Sequence, residues 1–519
     1  MASPSPRTYA SALEHLSLLQ SNHAITSLFA PSPSAKPQTK EDLNALAIPE
    51  MLDWLARAGL SQADLARSPL RCIHVAGTKG KGSVCAYLTS ILTQPAAGAG
   101  RVGTYTSPHL LTVRERIQLD GDPISEELFA RYFFSTWDAF TSAAVGEASK
   151  RRAASAHDAA QLPSDGELAG PATKPFYFRF LTVMALRVFV GEGVRSAVVE
   201  CGIGGEHDST NVLPAGCVSA AVVAQLGIDH VGMLGRTLPA IAWHKAGVCK
   251  AGRRCFTRRL ADDADTMRVL RERAAEKGAT LVELGDADVR AWGGVAKRGT
   301  LEGAFQVQNQ ALAVAAAREH LRVLRAEDEG EEEEREREKK AENPLDSVPP
   351  FFLDGLAAAH LRGRCEVKRD GKVRWFIDGA HTAESLAEAG RWFAAQGQGL
   401  AYRVLLFNQQ ERDAPALLRQ LHESVVPGTR FDAAVFTRND LERSSGEGER
   451  DLAVQRACAE ALSEIEPATE TLVVDSVPEA VARVREIASR HAADAEVGVL
   501  ATGSLHLVGT LLQTLEGAA

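Results

Sequence analysis

Residues 72–88, CIHVAGTKGKGSVCAYL, constrain this chain more than any other stretch. A short apolar run enters a glycine-rich turn and leaves into an apolar, helix-like segment, so the stretch reads as strand, loop and helix. Glycines let backbone N–H groups converge on a phosphate without Cβ clashes, and a helix N-terminus adds partial positive charge. Lys81 would neutralise the outer phosphates of a nucleotide, and the Ser83 hydroxyl would ligate the magnesium ion that bridges them. Taken alone, the heptapeptide is also compatible with a lysine-bearing turn that holds no nucleotide.

The common phosphate-loop pattern, G-x-x-x-x-G-K-[ST], is not met, because Lys81 and Gly82 stand where it has Gly and Lys. What remains is Gly77-Thr78-Lys79-Gly80-Lys81-Gly82-Ser83, which resembles the shortened loop of the ATP-dependent amide ligases of the Mur and folylpolyglutamate synthase group.

A chain of 519 residues has room for two or three domains. Its composition, 45% hydrophobic and 24% charged, is that of a globular protein, and no apolar run approaches the roughly 20 residues of a membrane span. The net charge of -9 argues against nonspecific nucleic-acid binding, while a local basic cleft remains compatible with an anionic ligand. Eight scattered cysteines without a C-x-x-C pair read as reduced core residues of an intracellular protein. The first residues carry no apolar signal segment and only Arg7 as an early positive charge, so cytoplasm is expected, with a mitochondrial pool as the weaker alternative.

In chain order, residues 8–30 predict a helix and 31–38 a loop, and 44–58 predict a second helix whose Met51, Leu52 and Leu55 pack on the first sheet. After the phosphate loop, 101–105 reads as a strand that empties into Thr106-Ser107-Pro108-His109-Leu110 and then Val113-Arg114-Glu115-Arg116-Ile117. This is either a proline turn with a charged strand, or a loop closing over a substrate with His109 or an arginine reaching a carboxylate. Residues 141–174, rich in Ala, Ser, Gly and charge, predict a mobile insertion. The runs 196–201 and 217–226 predict buried strands. Glu200 at the end of the first is a candidate Mg2+ ligand, because open α/β sheets bind ligands at the C-terminal ends of their strands. His230, after the second, is either a ligand in the same crevice or a hydrogen-bonded core residue. Lys245 falls on a predicted helix, where a lysine is ordinarily a solvated charge.

Further strands are expected at 253–257 and 280–283, and a helix carrying Asn309 at 306–318. Residues 326–342, AEDEGEEEEREREKKAE, then read as a solvated linker or exposed helix. Strand-like runs alternate with helical ones from 351 onward, at 373–378, 404–407, 433–436, 472–474 and 497–501, which predicts a second parallel α/β domain. Asp378 to Thr382, Asn408, Thr437 to Asn439 and Thr502 to His506 should collect along one edge of its sheet. The expected division is an N-terminal domain over 1–325, a linker over 326–348 and a C-terminal domain over 349–519.

The stretches HVAGTKGKGSV, TSPHL, VRERI, ECGIGGEHDSTNV, GIDHVGMLG, IAWHKAG, DGAHT, VFTRN and TGSLHLVG, with LQSN near position 20, resemble the eukaryotic folylpolyglutamate synthase family in order and spacing. Leu361-Arg362-Gly363-Arg364 departs from the family's Trp-Pro-Gly-Arg. The resemblance implies an α/β fold of two domains, an N-terminal P-loop parallel-sheet ATPase and a C-terminal Rossmann-like domain. It implies ATP-dependent ligation of L-glutamate to the γ-carboxyl of tetrahydrofolate and its polyglutamates through an acyl phosphate, in a monomeric enzyme of one-carbon metabolism. Such chemistry depends on charge neutralisation and positioning more than on a side-chain nucleophile.

The implied cofactors are ATP and Mg2+, with K+ as a monovalent cation. The implied ATP-binding residues are Gly77, Thr78, Lys79, Gly80, Lys81, Gly82, Ser83, Asn309, Arg364, Asp378 and His381, with Lys81, Lys245 and His381 as the catalytic set. Ser83, Glu200, His230 and a carbamylated Lys245 would hold metal. Ser107, Pro108, His109 and Leu110 would contact folate, and His381 and Ser504 would orient glutamate. The rivals are a dihydrofolate synthase or bifunctional enzyme and, more distantly, a noncatalytic ATP-binding module.

Overall fold

The computed structural model describes residues 6–19, 40–154, 164–295, 301, 303, 305–329, 343–410, 412–425, 430–441, 451–492 and 495–517. The chain divides into two compact units. One comprises Met1–His109, Arg114–Arg298 and Val307–Ala359, and the other Leu110–Val113, Gly299–Gln306 and His360–Ala519.

The first unit is built on eight strands: β1 (Arg71–Ala76), β2 (Val102–Tyr105), β3 (Ile117–Leu119), β4 (Asp122–Pro123), β5 (Ser196–Glu200), β6 (Val218–Val223), β7 (Arg254–Arg258) and β8 (Thr280–Leu284). Their order is β4-β3-β2-β5-β1-β6-β7-β8. The six strands from β2 to β8 pair in parallel, whereas β3 and β4 close one edge antiparallel, so the expected parallel sheet is a mixed one. Strands β5 and β6 are buried at every position and β1 at all but Arg71. That is why they read as continuous apolar runs, as strands covered on both faces do. The helix Tyr177–Gly191 supplies part of the cover, with Phe180, Leu181, Met184 and Phe189 buried.

The second unit holds β9 (Glu366–Asp370), β10 (Val373–Ile377), β11 (Tyr402–Phe407), β12 (Ala433–Phe436), β13 (Glu470–Val473) and β14 (Val497–Thr502). They lie in the order β13-β12-β11-β14-β10-β9, with only β9 antiparallel. Alternation along β10 and β11 sends Trp375, Ile377, Val404 and Leu406 into one apolar layer and Phe376, Leu405 and Phe407 into the other. Two helical layers thus sandwich the sheet and leave its strand ends to carry the polar groups.

Four expectations change. Val113–Arg116 is a 3-10 turn, not the start of a charged strand. Residues 141–154 of the supposed mobile insertion continue the helix Glu126–Ala154, and Ala144 and Ala148 pack against Leu168. The helix Gln306–Glu329 runs into the start of the charged stretch. Helix Pro350–Ala358 packs on Lys81–Leu92 of the first unit, with Phe352 and Leu356 buried, so the units change at Ala359 rather than at 349. The expected loop at 31–38 and most of the LQSN stretch and of the charged linker lie outside the described residues. Among the described residues no helix is long and apolar enough to cross a membrane.

Candidate functional site

In the first unit, three neighbouring strands β2, β5 and β1 end at the same edge and deliver the candidate residues together. The phosphate loop follows β1 and opens the helix Lys81–Leu92, whose N-cap is Gly80 at φ +79. A Cβ at Gly80 would stand 2.5 Å from Asn309 Oδ1, so glycine is needed there both for the left-handed backbone and for the close approach. This contact joins Asn309, distant in sequence, to the loop. Thr78 pins the loop from the other side: its hydroxyl donates to Gly227 O at 3.0 Å and accepts from Gly227 N–H at 3.1 Å. The backbone N–H groups of Thr78 and Lys79 both donate to Gln225 O, at 2.8 and 3.1 Å. Lys81 Nζ donates to Gly77 O at 3.1 Å, which folds the ammonium back over the loop. Ser83, in the first turn, is buried.

Glu200 is the last residue of β5 and is buried. Its Oε2 accepts the backbone N–H of Ser107 at 3.1 Å, tying the loop after β2 to the end of β5. Ser107 precedes Pro108 through a cis peptide bond. His109 Nδ1 accepts from Arg116 Nε at 2.8 Å, so Nε2 is the protonated nitrogen of a neutral ring. Leu110, expected on the substrate side, belongs to the second unit, where it packs against the layer containing Val508 and Leu511.

Lys245 ends the helix Leu238–Lys245 and is 2% exposed, not the solvated charge of an ordinary helix lysine. Burial first, and then the Lys81 ammonium, push its amine down to about 7. The loop after β5 runs directly over this helix end, since a Cβ at Gly205 would lie 2.7 and 2.8 Å from the carbonyls of His244 and Lys245.

Asp208, not singled out from the sequence, holds that loop. Its carboxylate accepts Ile203 N–H and Thr210 N–H, each at 2.9 Å, and the Thr210 hydroxyl at 2.6 Å. Burial pushes its carboxyl up despite those bonds. The Thr210 hydroxyl in turn lies 2.8 Å from Nε2 of His74, a fully buried ring that burial holds neutral. His230 departs from expectation: β6 ends at Val223, and His230 lies well beyond it as the left-handed N-cap (φ +49) of the turn Val231–Leu234. Its ring is 45% exposed and 3.9 Å from Asp229.

In the second unit the expected polar groups do gather at one edge. Asp378 follows β10, and its Oδ2 accepts Cys365 N–H at 2.8 Å. That bond fixes the turn holding Arg364, whose neighbour Arg362 is anchored to Glu366 at 3.0 Å and also pairs with Glu516. Arg362 therefore secures the turn at the position where the family pattern has proline. His381 Nδ1 donates to Gly379 O at 3.0 Å. Asn408, after β11, donates to Asn439 Oδ1 and accepts from Gln455 Nε2, both at 2.8 Å. Ser504, after β14, caps the helix Leu505–Glu516 by accepting His506 N–H at 3.1 Å.

Among the described residues no three His, Cys, Asp or Glu side chains converge as a ready-made metal cluster. A magnesium ion at Ser83 and Glu200 would have to draw further oxygens from a ligand or water, which is how Mg2+ ordinarily binds beside phosphates. The glycine cradle, the lysine and the carboxylate fit a nucleotide phosphate with its cation.

The chain matches no family model. It is 38% identical to the folylpolyglutamate synthase of Neurospora crassa, over 99% of this chain and 92% of the relative. It is 37% identical to that of Saccharomyces cerevisiae, over 98% of this chain and 87% of the relative. Among solved structures, Mycobacterium tuberculosis folylpolyglutamate synthase complexed with ADP matches with a TM-score of 0.67 at 22% identity, over 98% of this chain and 99% of its own. An FPGS complex with AMPPCP and folate matches with a TM-score of 0.60 at 21% identity, over 98% and 99%. The structural likenesses establish the fold, and the near-full-length identity with the fungal proteins establishes more: this chain belongs to the folylpolyglutamate synthase family.

Proposed function

We propose that the chain ligates L-glutamate to the γ-carboxyl of tetrahydrofolate and its polyglutamates at the expense of ATP. One observation carries the reading: the phosphate loop after β1, Glu200 at the end of β5 and the Ser107–His109 loop after β2 occupy neighbouring strand ends, with Glu200 bonded to Ser107. A carboxylate is a poor electrophile. One of its oxygens attacks the γ-phosphorus of ATP and ADP departs; the neutral amine of glutamate then attacks the carbonyl carbon of the acyl phosphate, loses one proton, and phosphate leaves, so that the new amide keeps its N–H.

Lys81 and the loop N–H groups stabilise charge on the transferring phosphoryl group, and Asn309 shapes the loop beneath it. Mg2+, when bound, would neutralise phosphate charge, and Ser83 and Glu200 would hold it. A buried Lys245 with its amine near neutrality suits carbamylation by CO2, which would turn it into an anionic ligand for a second cation; His230 completes the proposed metal set. Arg364, Asp378 and His381 serve the nucleotide, and His381 and Ser504 the incoming glutamate.

The test is ADP release with MgATP, L-glutamate and either tetrahydrofolate or dihydropteroate, in K+ and in Na+ buffer, with mass analysis of the pteridine product. Glutamate added only to tetrahydrofolate supports the reading. Addition to dihydropteroate moves the chain to a dihydrofolate or bifunctional synthase, and no pteridine-dependent ADP leaves only nucleotide binding.

A further inference from the structure

Arg116 and Arg273 are 7% and 5% exposed, and they differ in one respect. Arg273 pairs with Glu206 at 2.8 Å and with Glu276 at 2.5 Å. Arg116 has no carboxylate partner among the described residues. Its Nε donates to His109 Nδ1 at 2.8 Å and its guanidinium carbon lies 5.4 Å from the centre of the Tyr177 ring. The surroundings are thus a neutral imidazole and a phenol. One of five N–H donors is used by a side chain, and among the described residues the charge has no counter-ion. The remaining N–H groups are free to take a ligand carboxylate, which the planar fork would hold with two parallel hydrogen bonds.

The position of Arg116 selects the anion. Thr106 N–H donates to Arg116 O at 3.0 Å, and β3 begins at the next residue. In the order β3-β2-β5-β1 this strand lies three spacings, about 14 Å, from the strand that carries the phosphate loop. Arg116 therefore sits on the side of the Ser107–His109 loop rather than of the nucleotide. On the ligase reading given above, a terminal glutamate presents two carboxylates, of which only the γ reacts. A guanidinium that grips the other would both orient the acceptor and keep the wrong oxygen from attacking phosphorus.

We infer that Arg116 is the specificity residue of the acceptor site and takes the non-reacting α-carboxylate of the acceptor's terminal glutamate. His109 acts through it as a positioning residue, fixing the plane of the fork from Nε. The experiment compares wild type, Arg116→Gln and Arg116→Lys on tetrahydrofolate and on its analogue with a terminal α-carboxamide. Wild type should prefer the carboxylate at least tenfold in kcat/KM. Arg116→Gln should lose that preference and raise KM for tetrahydrofolate at least tenfold, with KM for MgATP within twofold of wild type. Arg116→Lys, which keeps the charge but not the fork, should cut the preference at least threefold. The inference is overturned if wild type shows no preference, if either variant retains the full preference, or if KM for MgATP rises in step with that for folate. Failure of wild type to glutamylate any folate would instead refute the ligase reading.

Discussion

Replacing Gly80 with alanine tests the geometry of the phosphate loop with a single methyl group. The backbone there has φ +79, a conformation that costs an L-residue about 1–2 kcal/mol. The added Cβ would also stand 2.5 Å from Asn309 Oδ1, well inside contact distance, and Asn309 is only 4% exposed. Its amide must therefore turn away, and a displaced buried amide costs about 1–3 kcal/mol in lost hydrogen bonding. The sum, about 2–5 kcal/mol, is a large share of the stability of a domain. Urea unfolding of wild type, Gly80→Ala, Asn309→Ala and the double variant separates the two contributions. The double variant keeps the backbone strain but has no amide to displace, so its loss should fall short of the sum of the single losses by about 1–3 kcal/mol. Strict additivity, or a Gly80→Ala loss below about 1 kcal/mol, would refute the claim that Gly80 and Asn309 form one unit.

Lys81→Ala should abolish folate-dependent ADP release while leaving the unfolding curve within about 0.5 kcal/mol of wild type, as for other partly exposed substitutions; undiminished turnover would remove the loop from the mechanism. For Lys245 the folded amine sits near 7 and the unfolded one near its ordinary value, so the unfolded chain binds the extra proton between them and stability rises with pH across about 7 to 10. Relative to Lys245→Met in CO2-free buffer, wild type should gain on the order of 3 kcal/mol over that window, and parallel pH profiles would contradict the buried amine. Asp378→Ala should cost about 1–3 kcal/mol, read by urea unfolding, because Cys365 N–H is buried and loses its acceptor.

Strands β10, β11, β12 and β14 were legible because both faces are covered and their residues form apolar runs. Strand β9 was not, since Glu366-Val367-Lys368-Arg369-Asp370 offers one apolar residue, and that one is exposed. Val113-Arg114-Glu115-Arg116 imitated a charged strand because residues three apart on a 3-10 turn share a face, and here both Val113 and Arg116 are buried. The helix over 141–154 was missed because its inward face is made of alanines four apart, Ala144 and Ala148, which carry a helix but no large apolar signal.

Among the candidate site residues, the phosphate loop and Glu200 were readable from local pattern, because a strand end and a glycine turn are short-range features. The contacts of Asn309 with Gly80 and of Arg116 with His109 were not, since they depend on tertiary approach and on a hairpin. Nor was the anchoring of the Gly202–Gly205 loop by Asp208, whose partners declare themselves only as hydrogen bonds.

The two outer strands of the C-terminal sheet have a consequence for how the chain survives its own synthesis. An open sheet edge is a template on which another unfolded chain can add a strand. Strand β9 ends its sheet with Lys368, Arg369 and Asp370, and Arg369 and Asp370 each reach an oppositely charged partner, at 3.3 Å to Glu496 and 2.8 Å to Arg485. The opposite edge, β13, is four residues long and begins at an exposed Glu470. An incoming strand would have to strip water from these charges before gaining a hydrogen bond, so the parallel core between them is fenced against aggregation on both sides.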